Sequence, residues 1–219
     1  MKLTRRSTLA DVVAAVAGAL QHAGIAAVLT GGACATLYSR GAYQSQDLDF
    51  IIRGGGTRGQ LADAMASAGF VRKGDRYVHP ATPFFVEFPR GPLAIGDDIE
   101  ITPVELRFRG VSAMALSPTD ACRDRLAAFF HWSDRQSLHV AVAIALRQRV
   151  NLTAIRRWSH REGFDTKFDE FRRELKRKRP TVPTQPSAPP PDRPPSRTRR
   201  APAPPPATGP GRPRSRPRS

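Results

Sequence analysis

Asp47 and Asp49 are separated by a single residue in Gln46-Asp47-Leu48-Asp49-Phe50-Ile51-Ile52, a run that reads as a β-strand. Side chains alternate faces along a strand, so the two carboxylates project together while Leu48, Phe50 and Ile52 turn towards a core. Two such charges repel by roughly a few kcal/mol at an effective dielectric of ~20. A pair kept on one face invites a cation. For oxygen ligands at this spacing the natural choice is Mg²⁺, which takes one or two carboxylates and leaves its other positions to phosphate oxygens and water. An isolated Asp-x-Asp is also what the solvated face of an edge strand would show.

Just upstream, Val28-Leu29-Thr30 runs into Gly31-Gly32-Ala33. Glycines let a backbone come close to a phosphate, and amides at the start of the following helix attract anions. A phosphate cradle followed by a metal-binding acid pair is what transfer from a nucleoside triphosphate requires.

Gly31-Gly32-Ala33-Cys34-Ala35-Thr36-Leu37-Tyr38 followed by Ser45-Gln46-Asp47-Leu48-Asp49-Phe50 resembles the signature of the nucleotidyltransferase superfamily with the polymerase-beta-like fold. The fourteen residues between Gly32 and Asp47 suit its AbiEii/AbiGii toxin-like branch, and the resemblance covers roughly residues 9 to 175. It implies an α+β fold with a mixed sheet flanked by helices and a C-terminal helical bundle. It also implies a third carboxylate from a neighbouring strand. Glu87 is the candidate, because Phe84-Phe85-Val86-Glu87-Phe88 puts one acid into an apolar run, where a charge is costly unless paired or metal-bound. A water-facing strand-edge Glu is the alternative, and Asp97, Asp98 and Glu100 are the fallback candidates. By the same resemblance Gly31 and Gly32 would cradle the triphosphate, Ser45 would add a hydrogen bond, Arg125 would contact phosphate, and Asp134 would orient a basic group or act near the acceptor. The implied chemistry uses two Mg²⁺ ions (Mn²⁺ is an alternative) and moves a nucleoside monophosphate to a hydroxyl on RNA, such as tRNA, or on a protein. A toxin–antitoxin or phage-defence setting, with an antitoxin protein as partner, belongs to the same expectation. This sequence has Asp-Arg at Asp134-Arg135 where the branch often has Arg-Asp, and Arg125 where it often has Lys.

Charge is distributed unevenly over the 219 residues. Of the net +16, residues 176–219 hold +11, from twelve Lys or Arg against Asp192 alone, leaving +5 on the rest. Fifteen of the 21 prolines also lie beyond residue 179. Such a segment cannot bury enough apolar surface to fold and is expected to be a disordered tail. It reads as a nucleic-acid-binding arm, a solvated linker, or a GC-rich coding extension. Two cysteines without Cys-x-x-Cys spacing, and five histidines without metal-ligand spacing, exclude a disulfide framework and a zinc knuckle, and a reducing cytoplasm is the default. Thr4-Arg5-Arg6-Ser7 faintly imitates a twin-arginine export signal. However, Asp11 interrupts the apolar run, and Leu9, Val12, Val13, Val16 and Leu20 fall on one helical face.

The elements needed to position these residues follow from periodicity. Helices are expected over 8–23, 31–40 and 57–68, and strands over 25–30, 47–53, 76–79, 84–88, 99–102 and 104–108. Gly54-Gly55-Gly56 lacks the spacing and the Lys of a P-loop and reads as a strand exit. Ser117-Pro118-Thr119-Asp120 is a helix start, with helices expected over 118–130, 133–149, 152–162 and 166–178. The domain organisation is then a nucleotidyltransferase core over 1–112, a helical region over 113–178 and the tail over 179–219. Trp132 and Trp158 read as packing anchors. Two other classes stay open: a nucleotide-binding or regulatory module without turnover, and a nucleic-acid-binding protein driven by the tail.

Overall fold

Thr8 and Asp11 start the first helix by capping each other, Thr8 Oγ1 accepting from the Asp11 amide and Asp11 accepting from the Thr8 amide at 2.9 Å. The computed structural model describes residues 2–179. The tail expected beyond Arg179 lies outside them. Helix α1 (Leu9–His22) buries Leu9, Val12, Val13, Val16 and Leu20 along one stripe, as its periodicity predicts. Next come β1 (Ala26–Thr30), α2 (Gly31–Ser39), β2 (Asp47–Gly54) and α3 (Arg58–Ser67), the last opened by a Thr57–Gln60 capping box. Strands β3 (Val71–Lys73), β4 (Arg76–Val78), β5 (Phe85–Glu87), β6 (Val104–Phe108) and β7 (Val111–Ala115) complete the sheet. Four helices end the described chain: α4 (Pro118–Trp132), α5 (Arg135–Arg147), α6 (Leu152–Arg161) and α7 (Asp165–Lys178).

The seven strands form one mixed sheet in the order β3-β4-β5-β2-β1-β7-β6. At its centre β1 runs antiparallel to β2 and parallel to β7, while β2 runs parallel to β5. The fold is therefore α+β, a mixed sheet flanked by helices with a helical C-terminal part. Helix α1 packs on the sheet face that carries Phe50, while α2 packs against β2 and against α4 and α5.

Three expectations need correction. Residues 99–102 form no strand, because the Asp98 carboxylate turns to Arg123 and accepts from the Glu100 amide, and Pro103 has no N–H to donate. Strand β7, absent from the sequence reading, pairs with β1 in the middle of the sheet, so the boundary placed at 112/113 falls inside a strand. Its Ser112, Ala113 and Ala115 carry little β-propensity; burial between β1 and β6 decides. Trp158 is an anchor at 1 % exposure, stacked on Phe130 with Nε1 donating to the Ile95 carbonyl at 3.3 Å. Trp132, by contrast, is 77 % exposed, since α4 ends on it and the left-handed Ser133 turns the chain away.

Candidate functional site

Antiparallel pairing sets Thr30 opposite Asp49, so the Gly-Gly turn leaves β1 directly over the acid-bearing end of β2. Gly31 has a φ of +61°, in the left-handed region where glycine is unstrained. A Cβ added there would overlap Oδ2 of Asp49. One added to Gly32 would lie 2.6 Å from Ser45 Oγ and 3.3 Å from Asp47 Oδ1. Each glycine thus abuts one of the two carboxylates, and the missing side chains leave the space for them. Thr36, one turn into α2, fastens this arrangement. Its Oγ1 donates to the Gly32 carbonyl at 2.9 Å and accepts from the Ser45 amide at 3.0 Å.

On β2 the expected alternation holds: Leu48 and Phe50 are buried, and Asp47 and Asp49 lie half-buried on the opposite face. The parallel partner β5 places Glu87 opposite Asp49 and Phe85 opposite Asp47. Asp49 therefore stands between Asp47 on its own strand and Glu87 on the next. None of the three is within ion-pair distance of a Lys, Arg or His among the described residues. Burial, and then the charges of Asp47 and Glu87, push the Asp49 carboxyl up to about 6.

A pocket of about 280 Å³ opens beside Asp49, bounded by Gly31, Ile51, Leu93, Asp124 and Arg125. Arg125 reaches it from α4 and is paired with Asp124 at 2.6 Å. Burial works against its charge, but the adjacent Asp124 carboxylate more than offsets that, so the guanidinium stays charged. Asp124 went unnoticed as a pocket residue in the sequence; its adjacency to Arg125 was the available signal. The opposite wall is apolar and comes from Pro89, Pro92 and Leu93. The chain beyond that wall is tied to α4 and α6. Glu162 accepts from the Asp97 amide at 3.0 Å, and Asp98 pairs with Arg123 at 2.5 Å and Arg161 at 3.3 Å. Asp98 is thereby committed to structure: the penalty of its burial is outweighed by Arg123, which holds its carboxyl below the ordinary range.

Asp134 does not line the pocket. Its Oδ1 accepts from the Gln136 amide at 2.9 Å and its Oδ2 from Ser137 Oγ at 2.6 Å, so it is the N-cap of α5. The Ser137 hydrogen bond is the main reason its carboxyl lies below the usual range. Ser45 is buried against Gly32. At the far end of β2, a Cβ on Gly55 would overlap the Gly24 carbonyl oxygen, so the glycine run serves a close backbone crossing.

Among the described residues no three His, Cys, Asp or Glu side chains stand close enough together to enclose a metal ion. The donor set fits another mode of binding. Two hard carboxylates share one face, a third acid stands in register on the next strand, and glycine backbone lies opposite. Mg²⁺ binds through one or two protein carboxylates plus substrate phosphates and water, rather than in an all-protein cage.

No family model matches the chain, and no curated protein matches it in sequence. Among solved structures it is similar to an antigenic nucleotidyltransferase-like protein from Paracoccidioides brasiliensis. That pair shows 19 % identity and a TM-score of 0.48, covering 62 % of this chain and 74 % of the other. It is also similar to ANT(2″)-Ia in complex with adenylyl-2″-tobramycin, at 14 % identity and a TM-score of 0.44, covering 77 % of this chain and 99 % of that one. The solution structure of the antibiotic-resistance factor ANT(2″)-Ia gives 13 % identity, a TM-score of 0.43, and coverage of 77 % and 95 %.

Proposed function

We propose that the chain is a metal-dependent nucleotidyltransferase that moves a nucleoside monophosphate from a triphosphate to a hydroxyl acceptor. One observation carries the reading: Gly31 and Gly32 each abut a carboxylate of the Asp47–Asp49 pair, with Glu87 in register beside Asp49. Asp47 and Asp49 would hold Mg²⁺, with Glu87 completing the acidic set. The bound cation would neutralise triphosphate charge and polarise the α-phosphoryl group. The chain's own residues do the rest by position. The backbone at Gly31 and Gly32 faces the triphosphate, and Arg125 supplies a fixed positive charge at the pocket edge. Glu87 takes the acceptor hydroxyl's proton as its oxygen attacks the α-phosphorus in line. The bond to the β-phosphate oxygen breaks, and pyrophosphate leaves.

The fourteen-residue gap before Asp47 supports the toxin-like branch, with RNA or protein as acceptor, an antitoxin as partner and the cytoplasm as the place of action. No helix among the described residues is long and apolar enough to cross a membrane. The test is incubation with each α-labelled triphosphate, Mg²⁺, and total cell RNA and protein. Label should move to one macromolecular fraction, and Asp49→Asn should abolish the transfer. Equal transfer by Asp49→Asn would reject the mechanism.

That no three potential ligands among the described residues converge on a metal position favours a second reading, a nucleotide-binding module without turnover. Metal-dependent triphosphate binding with no pyrophosphate release would select it.

A further inference from the structure

A separate groove of about 550 Å³ opens between the loop joining α2 to β2 and the C-terminal end of α7. Its floor is one face of α5, where Gln136, His139, Ala143 and Arg147 recur at helical spacing. Tyr43 forms one wall and Lys178 the other. Two links place the groove near the acid cluster: Tyr43 lies four residues before Asp47, and Asp134 caps the end of α5 from which the floor begins. Asp134 is near enough to Arg125, at the acid pocket, for the guanidinium to help hold its carboxylate charged.

The chemistry of the lining is one-sided. No acid lines the groove, and Arg147 and Lys178 have no carboxylate partner among the described residues. Arg147 makes only a long contact, 3.5 Å, to the Ala143 carbonyl. The acid whose charge reaches His139 and Lys178 is Glu174, and it is already bound to Arg177 at 2.7 Å. Cationic rims, one aromatic wall and an otherwise largely apolar lining that includes Val140, Ala143 and Leu146 suit a phosphodiester strand, its phosphates at the rims and its bases against the apolar surface. Phosphate contacts give affinity without sequence preference, and an aromatic face accepts any base. From Gln136 to Arg147 the floor runs for about 16 Å at ~1.5 Å per residue, room for a few nucleotides. The same charges would repel a polycationic small acceptor.

We infer that this groove binds the end of a single-stranded polynucleotide and delivers its terminal hydroxyl to the Asp47–Asp49–Glu87 cluster. The purpose of that delivery rests on the transfer reading above, but the binding is separable from it. Fluorescence anisotropy on the full chain, with labelled 12-mers of uridylate and thymidylate and with neither triphosphate nor metal present, measures binding without turnover; the basic segment beyond residue 179 is common to every variant, so the differences between variants read the groove. Arg147→Gln/Lys178→Gln should weaken binding at least tenfold and flatten the log–log salt dependence by about 1.4, the share of two phosphates on a single strand. Tyr43→Ala should weaken it about tenfold with little change in salt slope. Arg172→Gln/Lys176→Gln is a charge-matched control, because these residues line a different cavity on α7. It should stay within twofold of wild type. Equal losses in both double variants, or no loss in the groove variant, would overturn the proposal. So would label transfer to protein that the groove variant leaves unchanged. Asp49→Asn with intact oligonucleotide binding and no transfer supports both readings. Intact groove-dependent binding with no transfer by wild type would count against the transfer reading alone.

Discussion

The Cα of Gly31 faces the carboxylate of Asp49 with no room between them for a methyl group. Gly31→Ala therefore carries two penalties, a left-handed backbone of about 1–2 kcal/mol and displacement of a half-buried carboxylate. Gly163 separates them, for it has a φ of +77° and nothing within 4 Å of an added Cβ. Gly163→Ala should lose about 1 kcal/mol in urea unfolding and keep nucleotide transfer. Gly31→Ala should lose roughly 2–3 kcal/mol, and its transfer rate should fall more than 100-fold. A Gly31→Ala protein as active as Gly163→Ala would show that the close approach has no bearing on the site.

Asp49 makes stability depend on pH with an unusual sign. Its carboxyl titrates near 6 in the folded chain and near 3.8 as a free side chain, so the folded state holds the extra proton between those values. Stability from the protonated form is fully present below about pH 4 and is lost as pH rises through about 6. The ionised group then costs at most about 3 kcal/mol, and less where water screens the pocket mouth. Asp49→Asn should exceed wild type in unfolding free energy by roughly 1–2 kcal/mol at pH 8, and the gap should close near pH 4. Added Mg²⁺ should raise the wild-type Tm at pH 8 and leave that of Asp49→Asn unchanged. Parallel pH profiles for the two proteins would mean that neither burial nor the neighbouring acids raise the Asp49 carboxyl.

The parts of this site that were legible in the sequence are local. Alternation across Asp47-Leu48-Asp49-Phe50, the Gly-Gly turn and the lone acid in the β5 run each declare themselves within a few residues, and the sheet then brings them together. The hidden parts depend on contacts between distant segments. Arg123 meets Asp98 across 25 positions, and Trp158 meets the Ile95 carbonyl across 63. Strand β7 has too little intrinsic preference to be seen before β1 and β6 enclose it. Trp132 shows the opposite error: its size argues for burial, and the end of α4 leaves it outside. Asp134 is placed immediately before α5, and its hydrogen bonds to the Gln136 amide and Ser137 Oγ make it a cap, a role its type and position also allow in the sequence.

Arg125 and Asp134 should accordingly respond differently to truncation. Arg125→Ala removes the cation at the pocket edge and leaves Asp124 without its partner, so the KM for triphosphate should rise at least tenfold. Asp134→Ala should lose about 1 kcal/mol of stability, as a lost helix cap does, with KM within about twofold of wild type. A tenfold KM effect from Asp134→Ala without destabilisation would restore it as a binding residue.

Arg123 holds the apolar wall of the pocket from a distance. It is buried, donates to Asp98 at 2.5 Å and Asp120 at 2.9 Å, and lies 5.0 Å over the Trp158 ring; its Nε has no partner. Removing one partner of a buried ion pair typically costs about 3–5 kcal/mol, because the remaining charge is left without compensation. Arg123→Met leaves Asp120 without its cation and Asp98 with the more exposed Arg161 alone, and should approach that range in urea unfolding. Asp98→Asn leaves Arg123 still paired with Asp120 and should cost roughly half as much. Both variants free the segment carrying Ile95, Asp97 and Asp98, so protease cleavage between residues 89 and 101 should quicken while cleavage elsewhere in the fold does not. Global unfolding with no selective cleavage there would make Arg123 a general core residue and not the tether of this wall.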